Sequence, residues 1–98
     1  MRAAAKDKRK RLRQFRELAR QRQNGLCFYC RQPMAKAGSA AALAAPMSVE
    51  TIEHRRPKCR GGTDSAANLV LTCRACNTRK ASMNETAFLA QLSERDHI

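Results

Sequence analysis

Asn68-Leu69-Val70-Leu71-Thr72-Cys73-Arg74-Ala75-Cys76-Asn77-Thr78-Arg79-Lys80 runs three signals together without a linker. Asn68 to Thr72 is mostly apolar and reads as a strand. From Arg74 a helix can run through Asn77, Arg79 and Lys80 to about Ser82. Between them lie Cys73 and Cys76, at a spacing that lets two sulfurs turn toward one metal ion at about 2.3 Å.

A second pair at the same spacing, Cys27-Phe28-Tyr29-Cys30, lies upstream across residues 31–72. Two such pairs complete a tetrahedral set, and thiolates select zinc. Four sulfurs close the coordination sphere, which makes Cys27, Cys30, Cys73 and Cys76 ligands of a structural Zn²⁺ with no open position for water. The fifth cysteine, Cys59, reads as a free thiol in a loop. A redox-active thiol protein is a weaker reading, because the basic arm argues against it.

Between the pairs, Val49 to His54 carries the β-branched residues Val49, Thr51 and Ile52 and predicts another strand, ended by Pro57. Residues 55–67, with Gly61-Gly62 and Thr63-Asp64-Ser65, read as a loop. Residues 34–48 are dominated by Ala, with a short helix expected within 39–45 between Gly38 and Pro46. This insertion reads as a connector that can be deleted at little functional cost. Ser82-Met83-Asn84-Glu85 fits a capping box that opens a last helix over 84–98, with Phe88, Leu89 and Leu92 on its buried side.

The N-terminal segment 1–24 is different in kind. Residues 2–23 hold ten Lys/Arg against Asp7 and Glu17, so they carry +8 of the net +12. Leu12, Phe15, Leu18 and Ala19 recur at helical spacing, and Asn24-Gly25 is a helix stop. The expectation is a basic helix docked by a narrow apolar stripe. Its cationic face suits a polyanion, with salt-dependent affinity.

The chain has 98 residues, one Tyr, three Phe and no Trp. That is enough for one domain but gives few large side chains to bury, so a bound metal is expected to help hold it. No apolar run of spanning length and no secretory pattern is present, which points away from a membrane and toward a soluble, cytoplasmic protein of prokaryotic or phage type. Phe28 and Tyr29 read as packing residues, and His97, with no partner pattern, as a frayed-end residue.

Glu53-His54 supplies the two groups that phosphodiester hydrolysis needs. A neutral imidazole can take a proton from water, and a carboxylate can hold a divalent cation. Neighbours in a regular strand point to opposite faces. The pair can serve one phosphate only if the chain leaves strand geometry here, and Arg55-Arg56-Pro57 is the expected exit.

The residues TIEHRRPKCRGG and NLVLTCRACNTRK, within about 26–82, resemble the zinc-bearing form of the HNH endonuclease family. Shared motifs are CxxC, an acidic residue with His at a strand end, Pro three residues on, Gly-Gly, Asn-Leu, and CxxCN followed by Lys. The resemblance implies an α+β, ββα-metal fold over 25–83, with the basic helix before it and the last helix after it. It implies that His54 is the general base, that Glu53 and Asn77 hold a catalytic cation, and that Asn68 braces the loop and orients His54. The expected products are a 5′-phosphate and a 3′-hydroxyl.

Many members of the family carry Asp or His where Glu53 stands. Asn77 in place of a His favours a hard, oxygen-ligated ion, Mg²⁺ or Mn²⁺. DNA, most simply double-stranded, is the expected partner, with Arg9, Arg13, Arg16, Arg20, Arg55, Arg56, Lys58, Arg79 and Lys80 as backbone contacts and Arg60 beside them. No helix offers a base-reading set, so specificity is left to a homodimer or an accessory protein. The alternative reading is a non-catalytic zinc module that binds nucleic acid.

Overall fold

The computed structural model describes residues 2–96, so His97 lies outside the described residues. The element order is α1 (Arg2–Arg22), α2 (Ala40–Ala44), β1 (Glu50–His54), β2 (Leu69–Cys73), α3 (Arg74–Lys80) and α4 (Glu85–Asp96). The strands form a two-stranded antiparallel sheet with Glu50 opposite Cys73 and His54 opposite Leu69. This is a small α+β fold in which both strands and the following helix fall where the sequence places them.

Alternation along β1 sorts its side chains between two helices. Glu50 meets Arg16 and Arg20 of α1, while Thr51 meets Asn77 and Glu53 meets Lys80 of α3. The sheet is thus sandwiched, α1 on one face and α3 on the other.

α1 docks differently from expectation. Ala19 is buried and Phe15 half-buried, but Leu18 is 53% exposed and Leu12 lies at the rim. Polar contacts complete the joint. Arg20 donates Nε and a terminal nitrogen to the two carboxylate oxygens of Glu50, at 2.9 and 2.5 Å. Gln23 mimics a strand: its Nε2 donates to Leu71 O (2.8 Å) and its Oε1 accepts from Leu71 N (3.0 Å). One side-chain amide therefore satisfies backbone groups on the outer edge of β2. Asn24 and Gly25, both at positive φ, then turn the chain out of the helix.

The apolar centre gathers the cysteines with Tyr29 and Phe88. Tyr29 lies edge-on to both Phe28 (5.2 Å) and Phe88 (5.0 Å), so the first cysteine pair carries packing aromatics as expected. In α4, Phe88 is buried and Leu92 packs against the core, whereas Leu89 is 46% exposed. Phe88 and Leu92 lie one turn apart, and Leu89 is rotated off their face. The cap of this helix is Asn84, whose Oδ1 accepts from Ala87 N at 2.9 Å, rather than Ser82. Glu85 is unavailable for a capping box because Arg55 holds both of its oxygens.

The Ala-rich connector is tied down at its ends. Met34 packs against the core, Ala35 N donates to Ser48 O, and Glu50 N donates to Ala35 O, both at 2.9 Å. Only the exposed middle around α2, capped by Ser39, is free of such contacts to the sheet.

Candidate active site

Four cysteine sulfurs lie within 4.8 Å of one another. Cys30 Sγ and Cys73 Sγ are 3.9 Å apart, close to the roughly 3.8 Å edge of a tetrahedron with Zn–S bonds of about 2.3 Å. Cys27, Cys73 and Cys76 are buried, and Cys59 stands apart as an exposed free thiol. Burial pushes the Cys76 and Cys30 thiols up. Burial acts the same way on Cys27, but backbone N–H groups of Cys30, Cys73 and Tyr29 outweigh it and bring that thiol below its ordinary value. Four thiolates cannot share this volume without a cation. The donor set fits one tetrahedral zinc ion, whose binding would displace protons from the raised thiols.

From the second pair the chain enters α3 directly, with Cys73 as its N-terminal cap. Asn77 and Lys80, one turn apart on α3, both face β1. Asn77 Nδ2 donates to Thr51 Oγ1 at 2.9 Å. Lys80 is fully buried; its Nζ donates to His54 O at 3.0 Å and lies 3.5 Å from Glu53 Oε1. Hydrogen-bonded and non-bonded pairs alternate in an antiparallel ladder. Since Arg55 N is bonded to Asn68 O, the carbonyl of His54 turns away from β2, and Lys80 meets it at the open edge of β1.

Glu53 and Asn77 therefore share one face of the sheet. Among the described residues no hydrogen bond ends on Glu53 Oε2 or Asn77 Oδ1, so two hard oxygen donors stay available beside Lys80. That donor set suits Mg²⁺ or Mn²⁺ in kind. His54 does not share this face. The ladder continues through His54, which remains paired with Leu69, and the side chain points to the α1 side. The chain leaves the sheet only at Arg55-Arg56-Pro57, one residue too late to bring Glu53 and His54 to the same face.

On the α1 side His54 lines a groove of about 620 Å³ with Lys8, Arg11, Leu12, Phe15 and Lys58. Its Nε2 lies 2.7 Å from Asp64 Oδ1, and Lys58 Nζ lies 2.8 Å from Asp64 Oδ2. The hydrogen bonds from His54 and Lys58 hold the Asp64 carboxyl down to about 2. In the sequence Asp64 is one residue of the polar turn Thr63-Asp64-Ser65. No local pattern signals it, because its partner is ten positions away.

Asn68 braces the loop. Its Oδ1 accepts from Arg56 N (2.8 Å), and its Nδ2 donates to Arg56 O (3.0 Å) and Thr63 O (2.7 Å). These bonds run to the backbone of the loop and not to the imidazole, so Asp64, not Asn68, is the side chain that contacts the His54 ring. Gly62 is required for the same closure: a Cβ there would stand 1.7 Å from Arg56 O.

The basic residues divide sharply. Lys80 is buried and cannot meet a phosphate. Arg16 and Arg20 are held by Glu50, Arg55 by Glu85 and Lys58 by Asp64. Arg9, Arg13, Arg56 and Arg79 are exposed and, among the described residues, free of ion pairs. No described helix is long and apolar enough to cross a membrane.

Comparison with curated proteins and with solved structures gives no significant match. The family model described as HNH endonuclease matches residues 27–82, a span that begins at the first zinc-type cysteine and ends just past α3. It takes in both cysteine pairs, Glu53, His54, Asn68 and Asn77, and covers more than half of the chain, so the chain belongs to the HNH endonuclease family.

Proposed function

We propose that the protein hydrolyses DNA phosphodiester bonds as an endonuclease, with His54 as general base and Glu53 and Asn77 as the holders of a divalent cation. The observation that supports this reading is that Glu53 and Asn77 share one face of β1 with free oxygens, while His54 follows on the other face beside the loop braced by Asn68, in a protein whose Arg9, Arg13, Arg56 and Arg79 are exposed and, among the described residues, free of ion pairs. A zinc module that only binds nucleic acid has no need to keep Glu53, His54, Asn68 and Asn77 together.

In this mechanism His54 accepts the proton of a water molecule as the water oxygen bonds to phosphorus. The bond from phosphorus to the 3′-oxygen breaks, leaving a 5′-phosphate, and the 3′-oxygen takes a proton from solvent. Glu53 and Asn77 would hold Mg²⁺ or Mn²⁺, which when bound supplies positive charge for the crowded phosphorus and the departing oxygen. Since Glu53 and His54 lie on opposite faces, this mechanism needs the phosphate to approach at the end of β1, between the two faces. Arg9, Arg13, Arg56 and Arg79 contribute charge attraction without sequence information. Zinc in the cysteine cage has a structural role alone.

One observation favours the non-catalytic alternative: Lys80 already places a cationic side chain beside Glu53. Plasmid cleavage separates the two. The parent protein is expected to cut in Mg²⁺ or Mn²⁺ and not in chelator, and His54→Ala to lose cutting by at least about a hundredfold while keeping its zinc and its affinity for DNA. Cleavage at the parental rate by His54→Ala would exclude the general-base role.

A further inference from the structure

His54 has two ring nitrogens and only one of them can take a proton from water. Nε2 is committed: it stands 2.7 Å from Asp64 Oδ1. An ionised carboxylate only accepts hydrogen bonds, so Nε2 must carry the hydrogen. In the neutral ring the lone pair is then on Nδ1, and among the described residues no group bonds to Nδ1. One contact thus selects the tautomer and leaves the other nitrogen open.

The loop is built to hold that contact. Asn68 Nδ2 grips Thr63 O, immediately before Asp64, and ties it to the Arg56 backbone, two residues after His54. Gly62 N donates to Pro57 O at 2.9 Å, and Gly61 makes the left-handed turn that closes the loop. Lys58 fixes the second carboxylate oxygen at 2.8 Å. The placement is also costly in one respect, because an acidic side chain 65% exposed in a groove with Lys8, Arg11 and Lys58 repels the phosphates that this groove would otherwise attract.

We infer that Asp64 is a positioning residue for hydrolysis: its carboxylate holds His54 as the Nε2–H tautomer and leaves Nδ1 free to take the proton of the attacking water. The inference rests on the reading of His54 as general base. It carries a signature that a structural or purely electrostatic role lacks. Removing the negative charge should tighten DNA binding while slowing the chemical step.

The test is steady-state cleavage of a short duplex by the full chain, comparing Asp64→Asn, Asp64→Glu, Lys58→Ala and His54→Ala, with zinc content measured for each. Asp64→Asn is expected to lower kcat roughly tenfold or more, with KM unchanged or smaller. Asp64→Glu should recover part of kcat, and Lys58→Ala, which frees one Asp64 oxygen and leaves the other on His54, should lower kcat less than Asp64→Asn does. If Asp64→Asn keeps kcat within about twofold of the parent while His54→Ala is inactive, the inference is overturned and the base assignment stands. If His54→Ala cuts at the parental rate, both fall together.

Discussion

Lys80 shows at the scale of one residue how charge in a sequence differs from charge on a surface. In the sequence it closes the basic run CNTRK and reads as a phosphate contact. In the fold its helical position, one turn after Asn77, aims it at β1, and it is 0% exposed. Depth cannot be read from residue type. It follows from which face of α3 meets the sheet, and Asn77 was the local clue, since i and i+3 share a face. Lys80→Met keeps the apolar stem but leaves His54 O and Glu53 without their donor. We expect a loss of about 3 kcal/mol in urea unfolding, against less than about 0.5 kcal/mol for the exposed Arg79→Ala. Equal melts for the two variants would show that Lys80 is not structural.

At the scale of elements, the strands and helices were legible because their signals are local. Branched residues mark β1, Asn24-Gly25 ends α1, and Gly38 and Pro46 bracket α2. The joint between α1 and β1 was not legible. Glu50 was one acidic residue at a strand start, and its partner Arg20 is 30 positions away. Arg16 and Arg20, spaced one turn apart, serve this carboxylate before they can serve any ligand. The same long-range pairing hid Asp64 behind His54, whereas Glu53, Asn68 and Asn77 stand out as candidates from the motif alone.

The joint has a pH signature. Burial alone would raise the Glu50 carboxyl, but the hydrogen bonds and charge of Arg20, with help from Ala37 N and Arg16, bring it below the ordinary 4.5. A carboxyl depressed on folding stabilises the native state above its unfolded value, and that contribution is lost as pH falls through the folded value. Stability should therefore decline below about pH 4.5 in the parent. Glu50→Gln is expected to lose about 2 kcal/mol at pH 7 and to show a shallower decline in acid, followed by chemical denaturation across pH 3–7. A parental acid slope in Glu50→Gln would assign the decline to other carboxylates.

At the scale of the whole molecule, the cysteine cage and α1 replace what a larger core would do. The buried set is small: Cys27, Tyr29, Cys73, Cys76 and Phe88 form the main cluster, and Tyr29 even carries a buried hydroxyl with no partner. Around it, one clamp joins the residues just after α1 to the junction of β2 and α3, spanning everything that positions Glu53, His54 and Asn68. Without an ion the raised thiols of Cys30 and Cys76 would be protonated and the clamp open. Chelation of zinc at neutral pH should therefore abolish the cooperative thermal transition, because the ion's contribution of roughly 10 kcal/mol or more exceeds what a small domain can spare. Cys73→Ser should behave like the chelated parent, and Cys59→Ser, altering the exposed thiol, should melt like the untreated protein. Readdition of zinc should restore the transition in the parent and in Cys59→Ser with release of protons, and not in Cys73→Ser. A chelated protein that still melts cooperatively at the parental temperature would place the stability in the helix–sheet contacts and leave the cage with no structural role.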